Sequence, residues 1–471
     1  MRILHVSDCF APRLGGIEVQ VDELARAQLA AGHDVTVVTA TPGAPSDPST
    51  PGSAPGSAPP PGTAASSGAA ASPGIAASPG TAASPGTATP PGFATPPGFT
   101  TPADLAGSPG TTGSPGTTGS PGTAASSGTA LGGETGEPPF PVVRLVAPLP
   151  WELPVGRSLA PLLEELKPDV VHVHAGAVSP FAWRAVHSLG MAGSPVVLTV
   201  HSMWGPVSRA VYRALVPGWA RRHGGGLVVT TVSEAAARPI RAVVAGRFPV
   251  RVVSNGIDLS SWSAEAATPS TCDDAAIPGL EPIAADGTPH VVAVGRLAPR
   301  KEPVNLLRVL REAAASAPLR ATVVGDGPAR RRMERYLRRH GMTGWVRLTG
   351  RLDRSRVRTV LAGADVFLAP ASRESFGLAA LEARLAGVPV VGRAGGGVAD
   401  FVTSGREGLL GTTPRELAAA LARLASDPDL RGRIAAHNRA TSPVRCSWPA
   451  VLAAFDSCYE AASAKTDLAH L

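Results

Sequence analysis

Between residues 369 and 400 the chain reads APASRESFGLAALEARLAGVPVVGRAGGGVAD, and two carboxylates in it, Glu374 and Glu382, stand eight residues apart. That interval is close to two turns of 3.6, so it predicts both on nearly the same face of a helix and its mouth. The first turn of this helix is expected to carry Ser375, Phe376, Gly377 and Leu378. A helix N-terminus offers open N–H groups and a partial positive charge, which suit a phosphate or diphosphate. Small residues there let a ligand come close. Carboxylates would repel phosphate, so their chemistry beside it is to accept from hydroxyl groups, such as those of a sugar and a ribose. The stretch reads as a nucleotide-sugar cradle. On spacing alone, an ordinary amphipathic helix with two exposed glutamates remains the plainer reading.

The flanking residues go further. Glu374 and Glu382 with Phe376-Gly377-Leu378 between them, then Ala386-Gly387-Val388-Pro389-Val390 and the Gly395-Gly396-Gly397 turn, resemble the E-x7-E signature of the family 4 glycosyltransferases. These are retaining enzymes of the two-domain GT-B fold. The resemblance reaches both ends of the chain and is missing only from a long insert. It implies that Glu374 accepts from sugar hydroxyls and Glu382 from the ribose. Ser375 and the N–H groups of Phe376, Gly377 and Leu378 would line the donor, with Gly15 and Gly16 closing over its phosphates. For that glycine pair, a tight turn is the alternative reading. Arg296 and Lys301 match the paired cations that grip the diphosphate and stabilise the departing nucleotide. Such preorganised donors contribute roughly 3–4 kcal/mol each in a dry site. Gly350-Arg351-Leu352 matches the segment whose backbone meets the base, and His201 the histidine that faces the donor sugar. The implied scheme is transfer with retention and requires no metal or other cofactor. One departure stands out: the family usually has glycine after the lysine, where this chain has Glu302. Either an acidic group sits beside the phosphate site, or Glu302 begins the helix that runs to Ala315, its charge favourable in the first turn.

The elements that must hold these residues are Rossmann-like. Arg2 to Ser7 reads as a buried parallel strand, followed by Pro12-Arg13-Leu14-Gly15-Gly16, a helix from about Ile17 to Ala31 and a second strand, Val35 to Thr39. Glycines at the carboxyl edge of the first strand stand where open α/β sheets bind ligands. The pattern is not GxGxxG, which disfavours a dinucleotide oxidoreductase. From 41 to 139 the composition collapses to Ala, Gly, Ser, Thr and Pro. So few large apolar groups cannot offset chain entropy, and the segment is expected to be disordered. Further strands are read at Val142–Val146, Val170–His174, Pro195–Val200, Leu227–Val232 and Val250–Ser254, with Ser233 capping a helix. The expected organisation is an acceptor-side Rossmann-like domain over 1–262 and a linker over 263–288. A nucleotide-sugar-binding Rossmann-like domain follows over 289–445, and a final segment, 446–471, whose helix packs back on the first domain.

Composition bounds the rest. The chain has 471 residues, 4% aromatics, a net charge of +7 and a pI near 9.8, which favours anionic partners. The arginines following Pro328 are read as a solvated helix face, and nucleic acid is not an expected partner. Trp204 to His223 is basic and aromatic, interrupted at Pro217-Gly218; it reads as peripheral contact with an anionic membrane or as a helix with a charged outer face. His172 and His174 share a strand face, but no carboxylate or third ligand is evident, so a metal site is not expected. Cys9, Cys272, Cys446 and Cys458 are scattered, which fits a reducing compartment. The start MRILHVSDCFAP lacks the apolar core of a signal peptide, and no run approaches a membrane span, so a cytoplasmic location is expected. The competing functions are a non-catalytic nucleotide- or partner-binding protein of the same fold, and an epimerase or phosphorylase. The phosphorylase would need a lysine-anchored cofactor signature, which the chain lacks.

Overall fold

The computed structural model describes residues 1–13, 15–43, 138–146, 156–223, 226–262 and 287–467. Most of the expected insert and nearly all of the expected linker lie outside these residues.

Two parallel sheets are formed. The first orders its strands β3-β2-β1-β4-β5-β6-β7, where β1 is Arg2–Ser7, β2 Asp34–Thr39, β3 Val142–Arg144, β4 Val170–Ala175, β5 Val196–Val200, β6 Leu227–Thr231 and β7 Val250–Val252. The second orders β10-β9-β8-β11-β12-β13, with β8 His290–Val294, β9 Arg320–Val324, β10 Val346–Gly350, β11 Val366–Ala369, β12 Val390–Arg393 and β13 Gly408–Gly411. The central strands are valine-rich runs buried along nearly their whole length, as strands covered by helices on both faces must be. Between them run α1 Gly16–Ala30, α2 Ala160–Leu166, α3 Pro180–Met191, α4 Pro206–His223 and α5 Glu234–Val244 in the first half. The second half carries α6 Pro303–Ala314, α7 Arg330–Arg339, α8 Arg354–Ala362, α9 Leu378–Leu385, α10 Pro414–Ser426 and α11 Pro428–Ala440, and α12 Trp448–Asp467 follows.

In each sheet the strand order reverses about its first strand: β1 lies between β2 and β4, and β8 between β9 and β11. Connections leave such a pair in opposite directions and open a crevice beyond its carboxyl ends, where α/β sheets bind ligands. Arg296 and Lys301 follow β8, and Glu374 follows β11. The order reversal therefore places both groups at one crevice.

The closing helix α12 does not stay with the second sheet. Val451, Phe455, Cys458, Tyr459 and Ala462 pack with Ile3, Val170, Val197 and Val228 of the first. The two crossings between halves are tied together, since Ile257 N donates to Cys446 O at 2.8 Å and Ile257 bridges to Ser447.

Three local expectations differ from what forms. Helix α4 runs unbroken through Pro217, and its aromatic side turns inward: Tyr212 and Trp219 are buried, and Trp204 of the preceding loop, also buried, stacks on Tyr212 at 3.8 Å. Those rings belong to the core, and the exposed side of this helix presents Val207, Arg213 and Arg221. The helix after Lys301 begins at Pro303 rather than at Glu302, which precedes it in a left-handed conformation, φ 51°. The helix at the E-x7-E stretch begins at Leu378. Among the described residues no helix is long and apolar enough to cross a membrane.

Candidate active site

Helix α9 starts late because Gly377 stands before it at φ 99°, a left-handed geometry that ends any backward extension of the helix. Glu374, Ser375 and Phe376 fold instead as a loop across its N-terminus. The two-turn argument that put both carboxylates on one helical face therefore fails. Glu374 is a loop residue, and Glu382 lies one turn inside α9. The first amides bonded within the helix are those of Ala380 and Leu381, both donating to Gly377 O. The amides ahead of them are the ones a helix start leaves open.

The loop is held from behind by the glycine turn. Gly397 N donates to Glu374 O at 2.9 Å, and a Cβ on Gly397 would meet Ser375 O at 2.2 Å and Phe376 Cα at 2.5 Å. Only glycine fits that approach. Phe376 is buried against Phe401, ring centroids 5.4 Å apart, in an apolar cluster with Trp262 and Phe367 that anchors the loop.

In this loop Glu374 Oε2 accepts from Lys301 Nζ at 2.5 Å, the two side chains 17% and 32% exposed. The pair is partly open to solvent. Arg296 is exposed at the start of the same β8 loop. Glu302 turns away from the lysine: its carboxylate accepts from Ser372 Oγ, and more loosely from Asn305 Nδ2 at 3.4 Å. Its left-handed backbone accounts for the position favouring glycine, since a side chain there costs about 1–2 kcal/mol.

Glu382 belongs to a different neighbourhood. It lies within electrostatic reach of Arg354 and Arg358 of α8 and of Glu23 on α1, and burial pushes its carboxyl up to about 8, Glu23 adding to the rise while the arginines oppose it. Arg354 itself donates to Glu23 Oε1, which joins the halves, and its guanidinium lies 5.3 Å from the Trp262 ring. Leu352, just after β10, packs against the same apolar cluster as Trp262 and Phe376.

The first half meets this loop directly. Ser233 Oγ donates to Ser375 O at 2.5 Å while accepting from Ala236 N as the cap of α5, and Glu234 N donates to Asp400 Oδ2 at 2.8 Å. Gly205 stands beside Arg373, where an added Cβ would lie 3.3 Å from the guanidinium. His201 directly follows β5, four residues before Gly205, so its loop faces the one carrying Glu374. Gly15 caps α1 with extended backbone and Gly16 opens that helix with free space around it, at the carboxyl side of β1.

One group of residues was not legible in the sequence. His172 and His174 do share a face, and a third imidazole, His5, joins them from β1, with one nitrogen of each within 4.8 Å of the others. The missing signal is strand register: His5 pairs with His172 across the β1–β4 ladder, which no spacing within either strand reveals. Asp8, at the carboxyl end of β1, was also missed; it is buried, Oδ1 accepts from Phe181 N at 3.0 Å, and burial pushes its carboxyl up to about 6.

Comparison with known proteins decides the family. Residues 281–441 match the model for glycosyl transferases group 1, and residues 117–261 the model for glycosyltransferase family 4. The chain is 30% identical to a glycogen synthase of Mycobacterium tuberculosis over 312 residues, 63% of this chain and 69% of that protein. It belongs to the family 4 glycosyltransferases. This glycosyltransferase is also 31% identical to D-inositol 3-phosphate glycosyltransferase 2 of Catenulispora acidiphila, over 62% of the chain and 70% of that enzyme. Its fold matches Anabaena HepE, crystallised with UDP, with a TM-score of 0.61 over 97% of this chain and 99% of that one at 16% identity. Two parallel α/β sheet domains of the GT-B type are thereby shown, and with them an enzyme that transfers a glycosyl group to an acceptor.

Proposed function

We propose that the chain transfers a hexosyl or related group from a nucleoside-diphosphate sugar to a hydroxyl acceptor, with retention at the anomeric carbon. The observation that carries this is the Lys301–Glu374 pair beside the start of α9, at the order reversal of the second sheet. Residues 289–445 act as the donor domain in this reading. Residues 1–262, with the helix of 446–471 against them, act as the acceptor side, and 263–288 link the two.

Arg296 and Lys301 hold the diphosphate and stabilise its charge as the sugar leaves. The open amides of Phe376, Gly377 and Leu378 line it, with Ser375 beside them and Gly15 and Gly16 closing from the other domain. Glu374, released from Lys301 when phosphate arrives, accepts from the sugar hydroxyls. Glu382 enters the site protonated at neutral pH and can both donate to and accept from ribose hydroxyls. Backbone at Leu352 meets the base, and His201 orients the sugar from the acceptor side. A relative that makes glycogen and another named for inositol 3-phosphate both fit a polyhydroxylated acceptor. Peripheral contact with an anionic membrane has support only from Val207, Arg213 and Arg221 on α4, because the aromatic rings there are core.

The test is a thermal-shift series against UDP, GDP, ADP and TDP with their common sugars. A ligand at about 100 times its Kd adds about 2.7 kcal/mol, and a shift with one base alone fixes the donor class. No shift with any of them would overturn the donor assignment. The anomeric configuration of the isolated product, read by NMR, then decides retention.

A further inference from the structure

Behind His201 a chain of hydrogen bonds runs through the first sheet to α12. His201 Nε2 meets His174 Nδ1 at 3.0 Å, His174 Nε2 meets His5 Nδ1 at 2.9 Å, and His5 Nε2 meets Gln28 Oε1 at 2.7 Å. Gln28 Nε2 then donates to Tyr459 OH at 2.7 Å. A side branch returns from Tyr459 OH to His172 Nδ1 at 2.8 Å, from His172 Nε2 to Thr199 Oγ1 at 2.6 Å, and on to Thr230 Oγ1 at 2.6 Å. His5, His172 and His174 are buried, and every one of their six ring nitrogens has a partner in this network. Burial holds all four imidazoles neutral: His5 and His201 are lowered to about 4, and His172 and His174 well below the ordinary range.

A neutral imidazole has one N–H and one bare nitrogen, so in such a chain each ring dictates the next. The direction is set at Gln28. Its carbonyl oxygen can only accept, so His5 carries its proton on Nε2 and is bare at Nδ1. His174 must then donate from Nε2 and accept at Nδ1, which requires His201 to donate from Nε2. We propose that Gln28, acting through His5 and His174, is a positioning residue for glycosyl transfer. It fixes His201 as the Nε2–H tautomer and leaves Nδ1 as a hydrogen-bond acceptor for a substrate hydroxyl. The role at the substrate rests on the reading of His201 given above; the tautomer does not.

The wire also explains why a polar glutamine lies fully buried on the inner face of α1, and why the α12 residue packed over it is a tyrosine rather than a phenylalanine. Tyr459 OH accepts from the amide N–H and lies within bonding distance of His172 Nδ1. An inverted amide would reverse every bond of the chain and leave His201 protonated on Nδ1.

The experiment uses the full chain with 15N-labelled histidine, whose ring-nitrogen shifts separate protonated from bare nitrogens. The His201 signals are assigned by their loss in His201→Asn. Wild type is expected to show His201 protonated at Nε2. Gln28→Met orphans a buried N–H on His5, which is relieved when the chain reverses, so His201 should move toward the Nδ1–H form. Transfer should then fall about tenfold in kcat with donor KM nearly unchanged, the loss of one oriented hydrogen bond. Thr230→Val removes a hydrogen bond at the far end of the side branch and should leave the His201 spectrum as it was. If Gln28→Met does not fold, Tyr459→Phe releases the amide and is expected to give the same spectral change. His201 protonated at Nδ1 in wild type, or a spectrum indifferent to Gln28→Met and to Tyr459→Phe, overturns the wire while leaving the donor-site reading intact. A changed tautomer with unchanged kcat overturns the positioning role and the placement of His201 at the sugar.

Discussion

The two sheets share a topology and handle polarity in opposite ways. Behind the carboxyl edge of the first, polar side chains are buried, neutral and bonded to one another: His5, His172, His174, Thr199 and Thr230. At the same edge of the second, Arg296, Lys301 and Glu374 are charged and reach solvent. Burying an ion costs several kcal/mol unless it is fully paired, so the first half keeps polar groups inside by keeping them uncharged. The second half leaves its cations in accessible loops and so avoids that desolvation cost on folding. One scaffold thus places neutral buried polar groups behind one sheet edge and accessible charges at the other.

Acid should break this contrast most severely. The four imidazoles have folded-state pKa values below the usual 6.5, so the unfolded chain takes up protons first as the pH falls. Their stabilisation is complete above 6.5 and is lost as the pH falls below it, down to about 4 for His5 and His201. Asp8 and Glu382, raised to about 6 and about 8, act in the opposite sense and offset part of the loss. His223 and His290, also lowered by burial, add to the loss, so the expected net effect is a fall in stability as the pH drops through that window. A melting temperature that stays flat from pH 6.5 to 4 would count against a neutral core.

Removing charge from the second half should sharpen the contrast by sparing stability and slowing turnover. Lys301→Ala and Glu374→Ala are each expected to slow transfer by about 10²–10³ with melting little changed. Wild-type rates in either would remove these residues from the site. Gly397→Ala forces the donor loop off the glycine turn and is expected to cost about 1–3 kcal/mol of stability, read as an earlier melt, together with weaker nucleotide binding. Glu302→Gly should have the smallest effect. Relief of a left-handed side chain, about 1 kcal/mol, is countered by loss of the Ser372 and Asn305 contacts, so melting should rise slightly or hold.

How much of this the sequence discloses depends on how local the cause is. Strands such as Val196–Val200 and Leu227–Thr231 are visible as apolar runs, and the cap at Ser233 as a serine before alanines. The donor loop was legible as composition, though its helix began later than expected because the left-handed turn at Gly377 belongs to backbone geometry. Pairings between distant segments were not legible. Arg354 and Glu23 lie 331 residues apart, and Gln28 and Tyr459 lie 431 apart. Nothing in the spacing around His172 announces His5, because which residues face each other across a sheet is settled by the whole β-α-β path. Likewise the aromatics of α4 could face lipid or core until the helix is seated.

Helix α12 has a consequence for how the protein is made. A ribosome delivers β1 to β7 first, yet the apolar face formed by Ile3, Val170, Val197 and Val228 is covered by side chains that emerge only near residue 462. At 5–20 residues per second, roughly 200 intervening residues take about 10–40 s. For that interval the nascent first half carries an open hydrophobic flank, with His172 and Gln28 still waiting for Tyr459. Its maturation therefore waits for α12, whereas the apolar cluster of the second sheet, built from residues between Val291 and Ile434, has all its members before α12 is made.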